Sequence, residues 1–120
     1  MDAILFAATN KPEASRSFYE GALGLRFISD LPYAMVYDVN GIMLRVQKVD
    51  EVVAVPYTSL GFAVDNIEDT VTSLTTRGIV FEQYDFLQQD TSGIWNTPDG
   101  ARVAWCKDPD GNVVSVTQHS

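Results

Sequence analysis

The sequence reads as an α+β protein built from two copies of one unit. Three observations carry that reading: an internal echo, an amphipathic helix in each half, and apolar strand segments that end in turn-forming residues. Phe6-Ala7 followed by Asn10 recurs as Phe62-Ala63 followed by Asn66. Farther on, Gly24-Leu25-Arg26-Phe27 is answered by Gly78-Ile79-Val80-Phe81, and Asp38 with Gly41 is answered by Asp108 with Gly111. Because the matches keep their order, each half runs as an apolar strand, a helix, a glycine, and strands closed by a hairpin.

Each element has its own signal. Helix one is expected from Pro12, favourable in a first turn, through Phe18 and Tyr19 to Ala22, with Leu23-Gly24 closing it. Helix two follows Asn66, with Ile67, Val71 and Leu74 at three- and four-residue spacing and Arg77-Gly78 at its end. Segments rich in Val, Ile, Phe and Tyr predict strands over residues 3–9, 25–30, 33–38, 42–48, 58–64, 79–84, 93–97, 101–107 and 112–118.

At 120 residues, with 46% hydrophobic and 20% charged residues, the chain has the size and balance of one globular domain with one core. That domain is expected over 1–120, with module 1 at about 1–48, a linker at about 49–56 and module 2 at about 57–120. No apolar run approaches the ~20 residues of a membrane span, and the N-terminus lacks a leader pattern, so a cytoplasmic protein with no membrane partner is expected. Cys106 is the only cysteine, which excludes an internal disulfide and fits a reducing compartment. Sixteen acidic residues against eight basic ones give a net charge of −8, which repels phosphate backbones and argues against a nucleic-acid partner.

The turn Asp108-Pro109-Asp110-Gly111-Asn112 reads as a three-residue hairpin loop, with Pro presetting a type I turn and Gly in the left-handed region. Trp105 then falls beside Ser115, and Val103 beside Thr117, on one face; Ala104, Cys106, Val114 and Val116 take the other. Transferring the same turn to Asp38–Ile42 groups Tyr33, Met35, Tyr37, Met43, Arg45 and Gln47 on one face and Ala34, Val36, Ile42, Leu44 and Val46 on the other. The aliphatic set suits packing under a helix, and the mixed set suits the wall of a ligand cavity.

Ser17-Phe18-Tyr19-Glu20-Gly21-Ala22-Leu23-Gly24-Leu25 and Lys107-Asp108-Pro109-Asp110-Gly111-Asn112 resemble the two signature stretches of the vicinal-oxygen-chelate superfamily, which includes glyoxalases, bleomycin-resistance proteins and extradiol dioxygenases. The resemblance covers essentially the whole chain. It implies paired βαβββ modules whose curled mixed sheets surround a cleft, commonly completed by dimerisation, and hence a homodimer. In metal-dependent members four side chains, one from the first and last strand of each module, hold a divalent ion. Carried onto this sequence, those positions are Ile4, Arg45, Ser59 and Ser115. A divalent site needs imidazole, carboxylate or thiolate donors, and a permanent cation at position 45 repels an ion. The resemblance therefore implies a member without a metal or other cofactor, similar to bleomycin-resistance proteins, which use such a cleft for metal-free drug binding. The single histidine, His119, reads as a solvated tail residue.

The candidate ligand-binding residues are Tyr33, Met35, Tyr37, Met43, Arg45, Gln47, Ser59, Trp95, Trp105, Ser115 and Thr117. Arg45 is either a cation for a carboxylate, phosphate or enolate-like ligand group or one half of an internal salt bridge. The loop over residues 85–93 has no counterpart in the first half and is either a lid or a dimer contact. Cys106 reads as an inert core thiol, and Ser59 and Ser115 lack a histidine positioned to activate them. The leading expectation is metal-independent binding of a small molecule, such as drug or metabolite sequestration. The alternative is a lyase, isomerase or dioxygenase that draws ligands from Glu82, Asp85 or Asp90 or uses metal-free acid–base chemistry; a third is a domain that serves a partner protein.

Overall fold

The computed structural model describes residues 1–120, which cluster into two compact units. Unit 1 holds residues 1–55 together with 108–112, and unit 2 holds 56–107 and 113–120. In unit 1, β1 (Ile4–Thr9) leads to α1 (Pro12–Arg16), which continues as a π-helical turn over Ser17–Ala22 and is followed by β2 (Arg26–Asp30), β3 (Ala34–Val39) and β4 (Ile42–Lys48). The sheet order is β1-β4-β3-β2, with β1 parallel to β4 and the other pairs antiparallel. Unit 2 follows the same plan: β5 (Thr58–Ala63), α2 (Ile67–Thr76), β6 (Trp95–Asn96), β7 (Arg102–Lys107) and β8 (Val113–Gln118), in the order β5-β8-β7-β6, with β5 parallel to β8. The result is the α+β arrangement of two four-stranded mixed sheets that the echo predicts.

Helix α2 forms for the reasons its sequence displays. The Asn66 side chain accepts the Asp69 N–H at 3.0 Å, Glu68 and Asp69 stand in the first turn, and Ile67, Val71 and Leu74 are buried. Its end is a Schellman motif: Ile79 N–H reaches the Leu74 carbonyl, Gly78 N–H reaches Thr75, and Gly78 holds φ +96°. The first helix departs from the expected regular one, because after Arg16 it widens into a π turn that Leu23 N–H closes on the Phe18 carbonyl at 2.9 Å. Phe18 and Tyr19, edge to face at 4.9 Å, are both buried in this turn.

Two expectations need correction. The strand expected at 79–84 is reduced to one bridge, Phe81 with Cys106. The free edge of β7 is shared: Trp95–Asn96 pairs with its Arg102–Val103 end, so only the Cys106 end is left for Phe81. The hairpin between β3 and β4 is also one residue shorter than its counterpart. Asn40 (φ 49°) and Gly41 (φ 89°) form a two-residue loop closed by the Val39–Ile42 pair, whereas Asp108 pairs with Asn112 across three residues. A slip of one residue moves a strand's side chains to the other face. Tyr37 accordingly lies beside Leu44 and Met35 beside Val46, on the face packed under the helix, where Tyr37 is 0% and Met35 2% exposed. Ala34 and Val36 exchange places with them. In unit 2 the longer turn gives the expected pairs, Trp105 with Ser115 and Val103 with Thr117.

The turn at 108–112 belongs to unit 1 through polar contacts. The buried Asp108 carboxylate accepts from Tyr19 Oη at 2.7 Å, Asn112 Nδ2 at 2.8 Å, and the N–H groups of Asp110 and Asn112 at 2.9 Å each. Asn112 Nδ2 also donates to the Ala8 carbonyl at 2.9 Å, and Asp110 accepts from Thr9 Oγ1 and the Asn10 N–H. Lys11 Nζ reaches the Pro109 carbonyl at 3.1 Å. A buried carboxylate is tolerable because each of its lone pairs meets a donor.

Asp108→Ala would remove the acceptor of four hydrogen bonds, from Tyr19 Oη, Asn112 Nδ2 and two backbone N–H groups, and it is expected to cost about 3 kcal/mol or more; Tyr19→Phe, which removes one donor, is expected to cost about 1–2 kcal/mol. Urea unfolding of the two variants checks both the order and the sizes. A second expectation concerns Tyr37, whose buried hydroxyl has no hydrogen-bond partner. Burial, then the Glu20 carboxylate, push its phenol up to about 12, with Asp30 adding to the rise and Arg16 opposing it. The unfolded chain ionises tyrosine near ~10, so the stability due to the neutral phenol is complete below that pH and is lost as pH rises toward about 12. Tyr37→Phe should remove this alkaline loss and leave neutral-pH stability unchanged or raised by up to about 1 kcal/mol, as read from melts across the alkaline range.

Candidate functional site

Strand alternation leaves each sheet with a second face, turned away from its helix. In unit 1 the ladders set Ile4 beside Met43, Phe6 beside Arg45 and Ala8 beside Gln47, and continue to Asp38, Val36 and Ala34 on β3. Arg45 occupies the middle of this face. Its Cζ lies 5.8 Å from the centroid of the Tyr33 ring, and its Nη1 lies 4.0 Å from Met43 Sδ. It forms no salt bridge; the ion pairs of the chain are Arg16–Glu20, Lys48–Asp30, Arg102–Glu68 and Lys107–Glu82. Of the two roles open to Arg45, the internal salt bridge is absent.

In unit 2 the corresponding face carries the row Gly61, Ser115, Trp105 and the row Ala63, Thr117, Val103, Trp95. The two indoles lie 6.1 Å apart and 32° from parallel, while Tyr84 meets Trp105 edge-on at 5.6 Å and Phe86 lies 5.5 Å from Tyr84. Thr58 Oγ1 accepts the Trp105 indole N–H at 3.1 Å, which holds that ring on the sheet. Beside it Gly61 lies against the Ser115 hydroxyl: a Cβ there would stand 2.8 Å from Ser115 Oγ, so the missing side chain makes room for that hydroxyl. Ser59 is not part of this row. A bulge between Thr58 and Leu60 leaves it exposed and without a ladder partner.

The 82–95 segment is stitched to itself. Gln89 Nε2 donates to the carbonyls of Glu82 and Gly93, and its Oε1 accepts the Tyr84 N–H. Burial opposes ionisation of Asp90, but hydrogen bonds from the Ser92 hydroxyl and the N–H groups of Ile94 and Ser92 outweigh it and hold the carboxyl below its usual range. These bonds fix the conformation of the loop locally.

The structure thus brings together Tyr33, Met43, Arg45 and Gln47 in unit 1, and Trp95, Trp105, Ser115 and Thr117 in unit 2. It sends Met35 and Tyr37 into the core and leaves Ser59 in a bulge. Sequence reasoning missed Phe6, Val36, Gly61 and Thr58. The Asn-Gly pair at 40–41, a strong signal for a two-residue hairpin, would have recovered Val36. The Phe6–Phe62 echo hid the others, because it is one residue out of structural register: the partner of Arg45 is Phe6, but the partner of Ser115 is Gly61.

The donor set decides whether the positions implied for metal fit one. Ile4 and Arg45 supply no ligand atom suited to a divalent cation, Ser59 and Ser115 supply only neutral hydroxyls, and no group of three His, Cys, Asp or Glu side chains in the chain is placed to hold an ion. The residues do not fit a divalent metal. Nor is any helix long and apolar enough to cross a membrane.

A model of the Glyoxalase/Bleomycin resistance protein/Dioxygenase superfamily matches residues 3–116. No curated protein matches the chain. Among solved structures, it is similar to a glyoxalase/bleomycin resistance protein/dioxygenase from Alicyclobacillus acidocaldarius, with 19% identity over 99% of this chain and 91% of that one and a TM-score of 0.73. Lactoylglutathione lyase from Agrobacterium tumefaciens gives 19% identity over 98% and 94% of the two chains, with a TM-score of 0.73. FosX, a genomically encoded fosfomycin resistance protein from Listeria monocytogenes, gives 10% identity over 98% and 92%, with a TM-score of 0.75. At these identities the likeness to each solved structure is one of fold. The match over residues 3–116 makes the chain a member of the Glyoxalase/Bleomycin resistance protein/Dioxygenase superfamily.

Proposed function

We propose that the protein binds a small molecule without a metal ion, as a cytoplasmic homodimer, in the manner of a drug- or metabolite-sequestering member of its superfamily. The observation that carries this reading is the make-up of the faces turned away from the helices. One presents a pair of indole rings, the other a guanidinium among apolar side chains, and the positions implied for metal ligands hold residues that do not fit an ion. Such surfaces combine apolar area with a few orienting polar groups, which is the composition of ligand sites. Without an electrophilic ion, the geometry supports binding and orientation: the aromatic rings offer a flat ligand stacking area, and Arg45 offers a fixed positive charge. The dimerisation that the resemblance implies supports a second copy as partner, and the burial of Cys106, the only cysteine, supports a reducing compartment.

The first test is metal content. Protein purified without added metal or chelator should contain far less than one Zn, Ni, Mn or Fe per chain by plasma mass spectrometry, and none of these ions should raise its melting temperature. Close to one ion per chain would sink the metal-free reading. The indole pair supplies a second test, because the chain has only two tryptophans. A planar ligand found by screening should quench their fluorescence, and Trp105→Ala should weaken its binding about tenfold or more.

A further inference from the structure

We propose that the face of unit 1 around Arg45 takes an amphiphilic monocarboxylate, an apolar or aromatic body carrying one carboxylate, with the guanidinium as its anchor. This rests on the small-molecule reading above and adds the charge and chemical class of the ligand.

Arg45 is a permanent cation with five N–H donors, yet within the chain it meets only the Met43 sulfur and the Tyr33 ring. Asp38 stands on the same face beside Met43 but makes no ion pair with Arg45. The chain has 16 acidic residues, and none of them pairs with Arg45. The surroundings are apolar as well. Phe6 lies across the ladder from Arg45 and Ile4 across from Met43, and Ile4, Phe6, Met43 and Tyr33 are 47%, 51%, 41% and 63% exposed. An exposed apolar patch with one charge at its middle is a recognition surface rather than ordinary solvated exterior.

The charge count selects the ligand. One guanidinium neutralises one negative charge, and its planar fork matches the two oxygens of a carboxylate. A phosphate dianion would keep an uncompensated charge against Ile4 and Phe6 in a protein whose net charge is already −8. An ammonium ligand would meet Arg45 as a like charge. The apolar body of the carboxylate would cover Phe6 and Tyr33, whose flat rings offer contact area at low entropic cost.

The test measures affinities of the full chain, by calorimetry or ligand-observed NMR, for naphthalene-2-acetate, 4-phenylbutyrate and decanoate, each beside its neutral amide and its amine counterpart. At least one carboxylate should bind the wild type about tenfold or more tightly than its amide, with the amine weakest. Arg45→Gln should bring that carboxylate down to the level of the amide while amide binding stays within about twofold, and Arg45→Lys should recover part of the loss. The melting temperature of Arg45→Gln should stay within about 2 °C of wild type, because no ion pair is lost and the contacts with Tyr33 and Met43 are exposed and long. Equal binding of acid, amide and amine by the wild type would overturn the carboxylate assignment and leave the small-molecule reading standing. Failure of every probe to bind saturably would overturn the carboxylate assignment, whereas stoichiometric metal in the purified protein would overturn the metal-free reading on which it rests. Dissociation of a dimer in Arg45→Gln, with no preference for acids in the wild type, would overturn the proposal by giving Arg45 to an acid of a second copy.

Discussion

The structure depends on a buried carboxylate. Asp108 stands at the tip of the β7–β8 hairpin, yet its tip clusters with unit 1, where Tyr19, Asn112 and two backbone N–H groups fill its lone pairs. Desolvating a charge is expensive, so this arrangement persists only while all the donors are in place. The π turn that buries Tyr19, the carbonyl of Ala8 at the end of β1, and the Asp110 contacts to Thr9 and Asn10 follow from the same constraint. A hairpin turn that reads locally as a chain reversal thereby becomes the polar core of another unit.

Given that anchor, the strand pleat divides the labour. In each sheet alternate residues go under the helix, where Leu44, Val46 and Tyr37 in unit 1 and Ala104, Val114 and Val116 in unit 2 are buried. The other face includes buried Ala34, Val36 and Ser115 but also holds chemistry: Arg45 with Phe6 in one unit, Trp105 with Ser115 in the other. The stabilising face is almost purely apolar, while the other tolerates a guanidinium, hydroxyls and indoles. That asymmetry is what separates fold from function in this chain.

The sequence displays the first face better than the second. The echo, the helix caps and the Asp-Pro-Asp-Gly-Asn turn are local signals, and they suffice for the two-unit plan, the position of α2 and the Trp105–Ser115 register. Positions on the β3–β4 hairpin were misread because the longer turn of unit 2 was imposed on Asn40-Gly41, and one residue of slip exchanged Met35 and Tyr37 for Ala34 and Val36. Ser59 was misplaced because nothing in its neighbours marks a bulge. The role of Asp110 was illegible for a different reason: its partner Thr9 lies 101 residues away, and no local pattern reports a contact at that distance.

The placement of the 108–112 turn also sets an order of assembly. Unit 1 is encoded almost entirely in the first 55 residues, but its polar centre is supplied by residues 108–112. A chain emerging from the ribosome amino end first must therefore hold the end of β1 without its contacts to Asp110 and Asn112 until residues 108–112 have been made. The first module is written first but is not complete until residue 112, so cutting the gene at the boundary between the copies would release an incomplete fold rather than half of a finished one.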